Sequence, residues 1–247
     1  MAGHSKWSNI RHRKAAQDAK RVKTFLKIIR ELVVAAKEGG ASVEGNPRLR
    51  TAVDKALGSN MRRDTIDKAI QRGAGGGEGE SFEELVYEGY GPGGVAVLIE
   101  AMTDNRNRTA ADVRLAFSKA GGNLGTDGSV AYLFEKKGRV FISADDEDLV
   151  MELALNAGAE DLVVQEDGSI EVLTAPSDYL SVKDHLVSHD TNVIQSELDM
   201  IPATTVVLDE EGAEKVMRLI DALEDLDDVQ SVYTNADFPA EVMDKLG

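Results

Sequence analysis

Residues 139–201 read RVFISADDEDLVMELALNAGAEDLVVQEDGSIEVLTAPSDYLSVKDHLVSHDTNVIQSELDMI. RVFIS (139–143) has the β-branched and aromatic character of a strand. Residues 146–157 carry helical spacing, and DLVVQ (161–165) and SIEVLT (169–174) are short apolar strands. Between those strands, EDGS (166–169) contains an Asp-Gly pair suited to a hairpin turn. Residues 177–188 form a second helix, and NVIQSELDMI (192–201) a closing strand. The order is βαββαβ, the split βαβ or ferredoxin-like arrangement.

On either side the mixed pattern continues. GGVAVLIEAMT (93–103) is a strand following a Gly/Pro turn. Residues 109–120 are a helix with Val113, Leu115, Ala116 and Phe117 among its apolar positions, and SVAYLFE (129–135) reads as a strand. After the βαββαβ segment come ATTVVLD (203–209, strand), 210–224 (helix) and VQSVYTN (229–235, strand). Residues 81–135 and 204–247 therefore make one discontinuous α+β domain, with 136–203 inserted into it. GAGGGEGE (73–80) offers almost no side chains to pack and is a flexible linker and domain boundary.

Residues 1–75 differ in kind: they form a basic helical domain with an N-terminal arm. Residues 22–36 are an amphipathic helix whose apolar stripe is Val22, Phe25, Leu26, Ile29, Leu32, Val33 and Ala36. Lys20, Lys23, Lys27 and Arg30 form a second stripe nearly opposite. Asn46-Pro47 starts another helix, with Leu49, Val53, Ala56 and Leu57 on one face and Gly58 closing it. A third runs from Asp64 to Arg72 with Ile66, Ala69 and Ile70 inside and Gly73 as its stop. Three short helices make a small bundle.

Charge divides the chain in the same place. The protein carries 28 Lys plus Arg against 44 Asp plus Glu, a formal net of −16. Residues 1–72 hold 17 basic and 7 acidic residues, leaving 11 and 37 for the rest. The head is thus +10 and the body −26, a split that assigns them different partners. The head suits a polyanion, and the body a basic protein surface. There is no Cys, which excludes disulfides and Cys-based zinc sites. No apolar run reaches the roughly 18 residues of a membrane span. The basic N-terminus lacks the apolar stretch of a secretory signal. A cytoplasmic protein with no membrane partner is expected.

The candidate nucleic-acid contacts follow from that charge. Lys20, Lys23, Lys27 and Arg30, with Arg21 beside them, are placed to meet phosphate. His4, Lys6, Trp7, Arg11, His12, Arg13 and Lys14 form an arm or extend the helix, with Trp7, the only tryptophan, able to stack on a base or to pack the arm against a domain. Arg62 and Arg63 add charge at the third helix. In DNRNRT (104–109), Arg106 and Arg108 are rare cations in an acidic body, at a helix start that Thr109 or Asn107 can cap and where free N–H groups favour anions.

Other motifs are weak. The Gly-rich stretches 73–79, 89–94 and 121–129 lack the Gly-Lys-Ser/Thr ending of a phosphate loop, and turn chemistry accounts for them. His185 and His189 are spaced i, i+4, yet residues 186 and 187 are Leu and Val, so no HExxH site exists. No Gly-x-Ser-x-Gly elbow occurs. No enzyme activity, cofactor or metal is expected.

AGHSKWSNIRHRKAAQDAKR, NPRLRTAVDKA, NMRRDTIDKAI, YEGYGPGGVAVLIEAMTDNRNRTAADVR and GGNLGTDGSVAYLFE together resemble the YebC/PmpR family, in the same order and nearly end to end. The resemblance implies three domains: a helical N-terminal domain and two α+β domains, one inserted in the other. It departs from the family at Met61-Arg62-Arg63-Asp64, where Met-Pro-Lys-Asp is usual, and at Val22, where Gly is more usual. The resemblance also implies a cytoplasmic DNA-binding transcriptional regulator. Relatives described as ribosome-associated translation factors, which help synthesis through proline-rich stretches, imply an alternative in which the head binds ribosomal RNA. The chain shows no clear recognition helix for duplex DNA, and an arm carrying His4, Trp7 and His12 suits irregular RNA.

Overall fold

A computed structural model describes residues 18–75, 82–143, 147–165 and 168–238. It is an α+β protein in two compact units, one of residues 1–134 with 202–247 and the other of residues 135–201. Its described residues hold seven α-helices and three sheets. No helix among them is long and apolar enough to cross a membrane.

The larger unit begins with a helical bundle. Helix α1 (Asp18–Gly39) packs on α2 (Pro47–Gly58) and α3 (Arg63–Ala74). Ile28, Leu32, Val33, Ala36, Leu49, Val53, Ile66 and Ile70 fill the centre. The first turns of the apolar stripe are not covered, since Val22 and Leu26 are 62% and 59% exposed. Leu57, expected inside, is likewise exposed. Asn46 closes the bend between α1 and α2. Its Nδ2 donates to the carbonyls of Ala35 (2.7 Å) and Gly40 (3.0 Å), and its Oδ1 accepts from Leu49 N–H (3.1 Å). One buried amide thus satisfies orphan groups at two helix ends.

Gly73 is not the stop the sequence suggested. It lies inside α3, buried, and a Cβ there would collide with the carbonyl of Val33 and touch Ala36. The glycine lets two helix backbones approach closely. Of the proposed linker 73–80, residues 76–80 lie outside the described residues.

The rest of this unit is a four-stranded antiparallel sheet, order β3-β1-β2-β9, made of β1 (Glu83–Tyr90), β2 (Ala96–Thr103), β3 (Asn123–Leu124) and β9 (Val229–Thr234). Helices α4 (Arg106–Ala120) and α7 (Glu210–Glu224) supply Val113, Phe117, Val216, Leu219, Ile220 and Leu223 to a core shared with Val97, Ile99 and Val232 of the sheet. Leu115 stays outside it, exposed. Strands β8 (Val206–Val207) and β10 (Ala236–Asp237) pair in parallel beside it. Strand β1 pairs along its whole length with β2.

SVAYLFE differs from its expected strand. Residues Ala131–Leu133 form a 3₁₀ turn, and the strand starts only at Phe134. The cause is Glu88 on β1. Its carboxylate accepts from the N–H groups of Gly128 (2.6 Å), Val130 (2.7 Å) and Ala131 (2.7 Å), groups a strand would spend on its ladder. The three amide donors offset the burial of this carboxyl and hold it below the usual carboxylate range.

The smaller unit has the anticipated order. Strands β4 (Phe134–Ser143), β5 (Asp161–Val164), β6 (Ile170–Thr174) and β7 (Asn192–Pro202) form a sheet in the order β5-β6-β4-β7. Of the turn expected between β5 and β6, Glu166 and Asp167 lie outside the described residues. Helices α5 (Glu147–Asn156) and α6 (Tyr179–Ser188) cover one face, burying Val140, Ile142, Val150, Val172, Val182 and Leu186. Alternation along β4 puts Arg139 on the other face. There it is buried between the carboxylates of Glu171 and Asp199 (2.7 Å to Asp199), and Gln165 Nε2 donates to Glu171 (2.8 Å). One guanidinium faces two carboxylates, and hydrogen bonds from Gln165 and from Met200 N–H satisfy further carboxylate lone pairs. Arg139→Met leaves two carboxylates unmatched, so it should cost about 3–5 kcal/mol, read by chemical denaturation of the full chain. A loss under about 1 kcal/mol would show that water satisfies the pair.

Candidate nucleic-acid interface

The site is built on α1, whose helical spacing places Lys23, Lys27 and Arg30 on one face at i, i+4 and i+7. That face does not stand free. Lys23 Nζ donates to the Asp225 carboxylate at 2.9 Å and to the Asp225 carbonyl at 3.1 Å. Lys27 Nζ donates to the Glu224 carbonyl at 2.9 Å. Arg30 Nη1 donates to the carbonyls of Met102 (3.0 Å) and Asp227 (2.8 Å), lies 3.6 Å from the Asp228 carboxylate, and its guanidinium covers the Phe82 ring at 4.7 Å. Apart from the Met102 carbonyl, the acceptors belong to the C-terminal end of α7 and the turn after it. Helix ends leave their last carbonyls without intrahelical partners, and the aligned dipoles make that end negative. The cationic face of α1 caps it from outside.

Burial takes the Lys27 ammonium down to about 8; Glu224 opposes the shift, while Lys23 and Lys55 add to it and Asp225 resists. A cation held against carbonyl dipoles but largely out of water loses hydration that one hydrogen bond does not restore.

Asp228 organises the neighbouring turn. Its Oδ2 accepts from Arg108 Nη2 (2.7 Å), Thr109 Oγ1 (2.8 Å) and Thr103 Oγ1 (3.1 Å). Burial raises the pKa of its carboxyl, but the bonds from Arg108, Thr109 and Thr103 outweigh this and hold it below the usual range. Arg108 is further tied to Asp104 at 2.8 Å, and Arg106 pairs with Glu83 at 3.2 Å. The cap of α4 is Asn105, whose side chain accepts from Arg108 N–H at 3.1 Å, and neither Asn107 nor Thr109 takes that role. Thr109 instead faces inward.

The remaining sequence candidates fall in three groups. His4, Lys6, Trp7, Arg11, His12, Arg13 and Lys14 lie outside the described residues, and Lys20 and Arg21 are placed on α1 by backbone only. Arg62 and Arg63 are well exposed at the start of α3, paired loosely with Asp64 (3.2 Å) and Asp67 (3.7 Å). The rings of His185 and His189 lie 4.4 Å apart, His189 Nδ1 is 2.8 Å from the His185 carbonyl, and no group of three or more His, Cys, Asp or Glu that could hold a metal occurs among the described residues. Missed by the sequence are Lys37, Arg50, Lys55 and Lys68, which are exposed on the bundle and form no ion pair among the described residues. Arg48, by contrast, is consumed by Glu31 (2.8 Å), Glu38 (2.7 Å) and Glu84.

Two measurements check this geometry. The Lys27 side chain should titrate near pH 8 by NMR; Lys23→Ala should raise that midpoint and Glu224→Gln should lower it. A midpoint near 10.5 in the native chain would mean that Lys27 is solvated. Asp228 works in the other direction of pH: its depressed pKa adds stability above its unfolded value near 3.9, lost as pH falls through the folded value. Asp228→Asn should cost about 1.5–3 kcal/mol at neutral pH and flatten the acid limb of the stability profile; an unchanged limb would assign the acid sensitivity elsewhere.

Comparisons with known proteins agree along the whole chain. Residues 5–76 match the TACO1/YebC protein N-terminal domain, and residues 82–236 match the TACO1/YebC second and third domain. A probable transcriptional regulatory protein of Hahella chejuensis is 62% identical over 248 residues, spanning the whole of both chains. The transcriptional regulatory protein PmpR of Pseudomonas aeruginosa is 60% identical over the same span. The crystal structure of a conserved hypothetical protein from Aquifex aeolicus superposes with a TM-score of 0.80 at 47% identity, covering 92% of this chain and 94% of that one. The chain belongs to the TACO1/YebC family.

Proposed function

We propose that this protein is a nucleic-acid-binding regulator of gene expression, acting on transcription through DNA contacts made by its helical head. The observation that carries this reading is the charge on the head. Lys37, Arg50, Lys55 and Lys68 are exposed and unpaired among the described residues, and Arg62 and Arg63 are held only by solvent-exposed partners, in a chain whose other residues are strongly acidic. Exposed cations with no structural partner supply affinity for phosphate at little cost in fold stability. The names of relatives more than half identical over their full length support the regulatory role. Such cations grip the backbone without reading bases, so the head provides affinity and sequence preference rests with other groups.

The test is the salt dependence of binding to a duplex of about 20 base pairs. Changing Lys37, Arg50, Lys55 and Lys68 to Ala should weaken binding to all sequences alike. The slope of log K against log salt should flatten by about 0.9 for each cation that had neutralised a phosphate. An unchanged affinity in the folded variant removes the head from the interface. In lysate, the native protein should follow nuclease-sensitive chromosomal DNA. Pelleting with ribosomes at physiological salt instead would move its action to translation, with ribosomal RNA as the polyanion.

A further inference from the structure

The stripe on α1 already has an occupant. Three cations in a row donate to the carbonyls of Glu224, Asp225 and Asp227 and face the carboxylates of Asp225 and Asp228. Those acceptors are oxygens bearing negative charge or dipole, the same kind of group that a nucleic-acid backbone presents to cations. From Lys23 to Arg30 the helix rises about 10 Å, so the heads reach several successive oxygens. We propose that the end of α7, residues 224–228, is a built-in stand-in for phosphate. A polyanion that takes the stripe displaces it and frees the helical head from the body. This rests on the nucleic-acid reading above and adds that docking of the head and binding through the stripe exclude each other.

Three features make the contact exchangeable. Its hydrogen bonds and ion pairs join ammonium, guanidinium, carboxylate and carbonyl, with the Phe82 ring beneath Arg30, and Arg48 adds a further polar pair from the bundle to Glu84 of β1. Polar contacts between domains of one chain permit relative motion far more readily than apolar ones. Lys23 and Asp225 are both substantially exposed, 43% and 67% at the side chain, so water and salt reach the outermost pair. Such a pair is weak. Lys27 is uncomfortable as a cation where it sits, as its lowered pKa of about 8 records. A polyanionic partner gives Lys27 a full charge in place of the Glu224 carbonyl dipole, while Lys23 and Arg30 exchange the carboxylates of Asp225 and Asp228 for phosphate.

The stripe also accounts for a division of labour on the head. Lys37, Arg50, Lys55 and Lys68 meet a polyanion with the head docked, and Lys23, Lys27 and Arg30 join only after release. Binding therefore proceeds in two stages, the second gated by the acidic turn.

The chain contains no Cys, so two dyes can be placed cleanly at Ala41→Cys on the bundle and Lys119→Cys on α4. The doubly labelled protein is titrated with a duplex of about 20 base pairs and, separately, with an RNA of about 20 nucleotides. Lys27 is followed by NMR in the unlabelled chain under the same conditions. At saturation the dye pair should change its transfer efficiency, and the Lys27 midpoint should rise from about 8 toward its ordinary value of 10.5. Asp225→Asn, which weakens the outermost contact, should tighten binding about twofold to fivefold. Binding with both transfer efficiency and Lys27 midpoint unchanged overturns the displacement and leaves the nucleic-acid reading standing. Absence of binding to either probe overturns both.

Discussion

The Asp228 carboxylate is the point at which the larger unit is tied together. A carboxylate in a mostly buried turn keeps its charge only if donors surround it, and here they come from three segments. Thr103 ends β2, Arg108 and Thr109 begin α4, and Arg30 approaches from α1. The Asp228 carbonyl accepts from Met102 N–H at 2.8 Å, continuing the sheet past the last paired strand residues. One residue between α7 and β9 thus fixes where a strand stops, where a helix starts and where the head rests.

Much of this fold was readable from residue order. All seven helices were expected, α7 at its observed bounds, and the order of strands in the inserted segment followed from its short apolar runs. What escaped was set by distant partners. Strand β1 carries Glu83, Glu84, Glu88 and Gly89, residues that disguise an alternating pattern, and Glu88 is buried because a loop some forty residues later donates three amides to it. The same amides, once committed, prevented SVAYLFE from starting a strand at Ser129. Gly73 misled for another reason: a glycine that ends a helix and one that admits a neighbouring backbone look alike in sequence, and only the carbonyl of Val33 separates them.

The stripe on α1 was visible as a row of charges, but its partners were not. Main-chain carbonyls carry no letter in a sequence, and those of Met102, Glu224, Asp225 and Asp227 receive the stripe beside the carboxylates of Asp225 and Asp228. A basic helix face next to an acidic body is ambiguous in this way, since the closest source of negative potential is often the chain itself. The unpaired cations of α2 and α3 were overlooked because they alternate with acids along the chain; the helices separate them in space.

Where the inserted unit leaves and rejoins the larger one, Ala203 N–H donates to the Leu133 carbonyl at 2.8 Å. The two ends of the insertion are thus pinned side by side, while β9 and α7, which complete the outer sheet and its core, come from residues 210–234. On the ribosome the chain emerges from its N-terminal side. The helical bundle, complete by residue 74, therefore has its full core long before the turn at 224–228 has been made. Through the synthesis of the intervening segments the newborn head presents Lys23 and Lys27 without the acceptors that residues 224 and 225 later supply, beside the RNA of the ribosome that makes it.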